Sequence, residues 1–129
     1  MLIMVIVSRN HEEGFRVVSR RLVRVTDGMK VAFVSGTSIV NSDLFAAWDV
    51  KTINTPHGEV TYKTKDDFVL INRHGYGFPL PPHSINYRAN IRALAELGCK
   101  DVVSLNSVGS LDKDLPPGTF VSCSDYVGL

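Results

Sequence analysis

Three short apolar runs in this chain stop abruptly at small or polar residues: "KVAFVSGTS", "FVLINRHG" and "DVVSLNSVGS". Each reads as a strand buried on both faces, with the polar ending marking where the backbone leaves the core. Between the second and third lies "SINYRANIRALAELGC", with apolar residues at helical spacing. A strand, a helix and a second strand of this kind specify an α/β fold. In open α/β sheets ligands bind beyond the carboxyl ends of the strands. The residues of interest are therefore Ser35 to Ser38, Arg73 to Gly75, and Asn106 to Ser110.

The segments around this frame are also legible. "DVKTINTPHGEVTYKTKDDFVLIN" is broken at "TPHGE" and "KDD", which predicts a meander of two or three strands. Ser84 or Asn86 is placed to cap the helix. Within it Tyr87, Ile91, Leu94 and Ala95 are expected on one face, with Arg88, Arg92 and Glu96 on another. Gly98 is placed to end the helix in a left-handed turn. "SVGS" reads as a small-residue turn closing the third run, and "PPGTFVSCSDYVG" as a further strand after a proline turn. Residues 1–28 are arginine-rich, weakly patterned, and end in "TDG" before Met29. Two readings of them stay open: an extension or misplaced start upstream of residues 29–129, or an ordinary edge strand or short helix from Met1 to Val7.

Composition narrows the classes. A chain of 129 residues suits one domain. Its formal net charge of +1 gives no support to nucleic-acid binding. "MLIMVIV" is far shorter than the about 20 residues that cross a bilayer. Basic residues follow that run instead of preceding it, which is the reverse of a secretory signal. Cys99 and Cys123 make neither a disulfide framework nor a metal knuckle, and both are expected as buried, reduced thiols. A cytoplasmic location is the matching expectation.

The three strand ends would assemble a recognisable chemistry if they converged. Ser35, Gly36, Thr37 and Ser38 offer hydroxyls and closely approaching backbone, as in an anion cradle. Arg73 brings a planar fork that matches phosphate in a bidentate way. His74 adds a donor whose protonation is tunable near neutral pH. Asn106 to Gly109 adds an amide side chain and backbone. Taken singly, each also reads as a plain polar loop. His57 reads as a turn residue, His83 as a loop or helix-entry residue, and Asp66–Asp67 as a charged turn. The chain has no HExxH, GxSxG, Walker A or GxGxxG sequence.

In order and spacing, "FVSGTS", "INRHG", "PPHSINYRANIRALAELGC", "LNSVGSL" and "LPPGTFV" resemble the N-terminal half of the methylthioadenosine phosphorylase and purine nucleoside phosphorylase family. The resemblance implies a mixed sheet flanked by helices, seen here only in part. It implies phosphorolysis: inorganic phosphate attacks the anomeric carbon of a purine nucleoside, giving free base and a pentose 1-phosphate. The transition state resembles an oxocarbenium ion, so catalysis rests on positioning phosphate and on stabilising charge as the purine leaves. No metal or organic cofactor is implied, and phosphate is the co-substrate. By motif position Thr37, Arg73, His74, Asn106 and Ser107 would bind phosphate, while Ser107, Val108 and Gly109 would line the nucleoside. The family is commonly trimeric, so a homotrimer is expected, with no nucleic-acid or membrane partner.

Two departures from the family pattern stand out. Phe78 occupies a position in the glycine-rich loop where some relatives carry histidine. The family's chains also run to roughly double this length, and their second half supplies the purine-contacting acid. No catalytic residue is therefore expected among these positions. 5′-Methylthioadenosine is the leading substrate, because "PPHSINYRANIRAL" resembles the methylthio branch. Methylthioinosine, inosine or guanosine phosphorolysis is the alternative, as is a truncated, non-catalytic phosphate or nucleoside binder.

Overall fold

A computed structural model of the chain describes residues 30–122, together with the backbone of 2–11 and 14–17. Met29 and Cys123 lie outside the described residues, and so does the side chain of Ser38. Eight strands among the described residues form one mixed sheet: β1 (Leu2–His11), β2 (Gly14–Val17), β3 (Lys30–Ser35), β4 (Asp49–Thr55), β5 (Gly58–Lys65), β6 (Phe68–Asn72), β7 (Cys99–Val108) and β8 (Phe120–Ser122). Their order is β2-β1-β7-β3-β6-β5-β4, with β8 also paired to β1. The predicted meander is realised in full as the antiparallel strands β4, β5 and β6. At its centre β6, β3 and β7 run parallel.

Successive side chains of the three apolar runs fall on alternate faces of the sheet. Ala32, Val69, Ile71 and Val102 pack with Val60, Tyr62 and Cys99 on one face. Helix α2 (Tyr87–Glu96) covers that face through Ala89, Ala93 and Leu94. The opposite face carries Phe33 and Phe68, with ring centroids 5.9 Å apart, and Trp48 stands 6.4 Å from Phe68. The four-residue helix α1 (Thr37–Val40) and a 3-10 turn at Asp43–Phe45 lie in the segment between β3 and Trp48. Val40, 1% exposed, is the apolar anchor of α1.

One expectation about the helix needs correction. The buried stripe of α2 is Ala89, Ala93 and Leu94, whereas Tyr87, Ile91 and Ala95 are exposed. The alanines decide this, because their small side chains let the helix approach the strands more closely than Tyr87 or Ile91 would. Asn86 is the cap, accepting from the Ala89 amide at 3.0 Å, while Ser84 lies in a 3-10 turn upstream. Gly98 ends the helix at φ 76° as expected.

The third run also extends further than its sequence suggests. β7 continues through Val108, so Asn106 to Val108 are strand and not turn. The cause is β1, which pairs antiparallel along β7 from Leu2 opposite Val108 to Arg9 opposite Asp101. β1 is in turn no edge strand: its other side is taken by β8 near Ile3–Val5 and by β2 near Ser8–His11. Cys99 is buried and free, as expected, and burial raises its thiol pKa above the ordinary value with Lys30 acting in the opposite direction.

Candidate functional site

The parallel register sets the three strand ends level. Ser35 is the partner of Asn72 on β6 and of Leu105 on β7. Adjacent strands lie about 4.8 Å apart, so the residues that follow these three emerge close together. Ser35 is fully buried, and its hydroxyl donates to the Leu105 carbonyl at 3.2 Å. The Arg73 amide donates to the Ser35 carbonyl at 3.0 Å. Strand pairing therefore continues one residue past β6 and delivers Arg73 at the rim.

A cavity of about 450 Å³ opens at this level, lined by Gly36, Thr37, Ile39, Arg73, His74, Pro79, Leu105 and Ser107. Four of the residues singled out from sequence, Thr37, Arg73, His74 and Ser107, thus meet at one concavity. Gly36 lies beneath the Arg73–His74 pair: a Cβ there would stand 3.7 Å from Arg73 Nη2 and 3.8 Å from His74 Cδ2. Leu105 and Ser107 share a face of β7 because strand side chains alternate. Asn106 therefore projects from the other face. Its Nδ2 donates to Ser104 Oγ at 3.1 Å, and its Oδ1 accepts from Arg73 Nη1. Val108 and Gly109 line a separate cavity of about 470 Å³ with Ser110, Asp112, Lys113 and Leu115 among its walls.

Hydrogen bonds fix the orientation of His74. Arg73 Nε donates to His74 Nε2 at 3.2 Å, and His74 Nδ1 lies 2.9 Å from the Leu80 carbonyl. A guanidinium can only donate and a carbonyl can only accept, so the imidazole carries its proton on Nδ1. The Leu80 amide returns a hydrogen bond to the His74 carbonyl at 2.7 Å, closing the glycine- and proline-rich loop onto its own base. Phe78, at the tip, is 97% exposed. Below it the Tyr76 hydroxyl donates to the Leu70 carbonyl at 3.3 Å. Burial pushes the Tyr76 phenol up to about 12, a backbone hydrogen bond at Asn72 opposing it.

The lining contains one guanidinium, one imidazole, two hydroxyls and no carboxylate, a set suited to a compact oxyanion. A sequence model of the phosphorylase superfamily matches residues 30–129. The chain belongs to the phosphorylase superfamily. Its curated relatives in this superfamily include a probable 6-oxopurine nucleoside phosphorylase of Thermococcus kodakarensis, 41% identical over 71% of this chain and 36% of that protein. A probable S-methyl-5′-thioinosine phosphorylase of Methanocaldococcus jannaschii is 39% identical over 75% of this chain and 38% of that protein. Among solved structures, the methylthioadenosine phosphorylase of Schistosoma mansoni in complex with adenine aligns with TM-score 0.61 at 38% identity, covering 70% of this chain and 35% of the other. The mixed sheet is accordingly part of a nucleoside phosphorylase fold. The chain spans little more than a third of the length of these curated superfamily relatives.

Sequence reasoning missed Asn72 beside this cavity. Its side chain is 5% exposed and bonds to three neighbours around the cavity. The available signal was an amide side chain ending an otherwise apolar strand, directly before the Arg-His pair.

Proposed function

We propose that the cavity between Thr37, Arg73, His74 and Ser107 binds inorganic phosphate, and that the chain contributes this side of the site to phosphorolysis of a purine nucleoside. The single observation that carries the reading is the meeting of these four side chains at one cavity of a superfamily member. In this reading the Arg73 fork takes two phosphate oxygens, the Thr37 and Ser107 hydroxyls take others, and Asn106 steadies Arg73 from the opposite face. Phosphate held this way is the nucleophile for the anomeric carbon, and positioning it supplies much of the rate. Val108 and Gly109 then belong to the nucleoside side. No carboxylate lines the phosphate cavity, so protonation of the leaving base is assigned to groups beyond it.

5′-Methylthioadenosine is the proposed nucleoside, supported by the "PPHSINYRANIRAL" resemblance and by the Schistosoma relative named for that activity. A 6-oxopurine nucleoside is the second reading, favoured by the names of the Thermococcus and Methanocaldococcus relatives. A homotrimer in the cytoplasm completes the proposal. Among the described residues no helix is long and apolar enough to cross a membrane.

Titration of the chain with inorganic phosphate tests the site, and phosphate-dependent base release from methylthioadenosine, methylthioinosine and inosine tests the reaction. Saturable binding that Arg73→Ala weakens is the expected result. Binding without base release from any nucleoside would favour the non-catalytic binder. Absence of saturable phosphate binding in the folded chain would overturn the site.

A further inference from the structure

We infer that Asn72 is a positioning residue for the anion cavity: its buried carboxamide locks the Arg73–His74 turn to α1 without itself lining the cavity. The inference deepens the phosphate reading and rests on it. Arg73 and His74 are useful only if the turn carrying them is held still, since a fork that must be ordered on binding loses affinity to that ordering.

The Asn72 side chain adds three contacts to that restraint. Asn72 Oδ1 accepts from the His74 amide at 3.1 Å. Its Nδ2 donates to the Gly75 carbonyl at 2.7 Å and stands 3.4 Å from Thr37 Oγ1. The Gly75 amide returns to the Asn72 carbonyl at 3.0 Å, so main chain and side chain close the same four-residue turn. Gly75 accepts this closure at φ 83°, a conformation that favours glycine. Through Thr37 the same amide ties the turn to the first residue of α1, on the neighbouring strand end.

The chemistry demands an amide. Alanine would leave the His74 amide and the Gly75 carbonyl without these partners. Aspartate would keep the acceptor for His74 but lose the donor for Gly75 and Thr37. It would also set a negative charge beside a site meant for an anion. Protonated aspartic acid regains one donor and drops the charge, so the aspartate variant carries its own rescue.

The test compares native chain, Asn72→Ala and Asn72→Asp by titration with inorganic phosphate and by amide hydrogen exchange at His74 and Gly75. Asn72→Ala is expected to speed exchange at His74 at least tenfold and to weaken phosphate binding at least tenfold, while distant core amides stay protected. Asn72→Asp is expected to keep His74 protected near neutral pH yet bind phosphate weakly. Its affinity relative to the native chain should recover as the pH is lowered and the new carboxyl protonates. That recovery is a readout a purely structural asparagine would not produce, and it serves if Asn72→Ala fails to fold. Native phosphate affinity in Asn72→Ala, or an aspartate variant whose relative affinity ignores pH, would overturn the inference. A native chain that binds no phosphate, with His74 still deprotected in Asn72→Ala, would instead sink the phosphate reading and leave the clamp standing.

Discussion

Arg73 Nη1 donates to Asn106 Oδ1 across 33 positions of sequence, joining the ends of β6 and β7 over the end of β3. Asn106 is itself fastened to Ser104, so the guanidinium is oriented before any ligand arrives. Charge-assisted bonds of this kind contribute about 1.5–3 kcal/mol. Arg73→Ala should therefore weaken phosphate binding roughly tenfold to a hundredfold. Arg73→Lys should recover little, because a point charge cannot hold Asn106 and a bidentate anion together. Calorimetric titration with phosphate checks both, and equal affinity in the lysine variant would refute the fork.

Tyr76 gives the fold an alkaline weakness. Its phenol ordinarily ionises near 10.0 and is pushed up to about 12 by burial. A raised pKa stabilises the fold fully below the unfolded value, and that contribution is lost as pH climbs from about 10 through about 12. Urea midpoints should fall over that window in the native chain and fall less in Tyr76→Phe. An identical alkaline decline in both proteins would remove Tyr76 as the cause.

Gly98 isolates a backbone effect. At φ 76° it has nothing within 4 Å of where a Cβ would stand, so alanine would clash with no neighbour there. Gly98→Ala should still cost about 1–2 kcal/mol from left-handed strain alone. Gly98→Asn should cost less, because asparagine tolerates that conformation. Chemical denaturation of the pair measures the difference, and a neutral alanine variant would contradict the strain.

The two faces of α2 should respond in opposite ways. Leu94 is 2% exposed and Ile91 47% exposed. Leu94→Ala is expected to lose about 2–5 kcal/mol through lost burial and the cavity left behind. Ile91→Lys is expected to stay within about 0.5 kcal/mol of the native chain. A large loss at Ile91 in thermal unfolding would mean that the exposed stripe is covered in solution.

Local sequence determined the elements, because each of its signals acts within a few residues. The apolar runs ending at Ser35, Asn72 and Leu105 specified buried strands, the "TPHGE" and "KDD" breaks specified the hairpins, and Asn86 and Gly98 bounded the helix. The general rule for α/β sheets pointed to the three strand ends, and the family resemblance singled out Arg73, His74, Thr37 and Ser107 among them, since nothing local says that separate turns meet. Tertiary structure decided the rest. Parallel register brought Ser35, Asn72 and Leu105 level. Alternation along β7 put Ser107 at the cavity and Asn106 behind Arg73. Pairing with β1 drew Asn106 to Val108 into a strand where the local residues read as a turn. Packing against the sheet chose Ala89 and Ala93 over Tyr87 and Ile91, because close approach favours the smallest side chains. The role of Asn72 depended on all of these together: a hydrogen-bonding amide is visible in any sequence, but its partners exist only after Thr37, His74 and Gly75 have been folded around it.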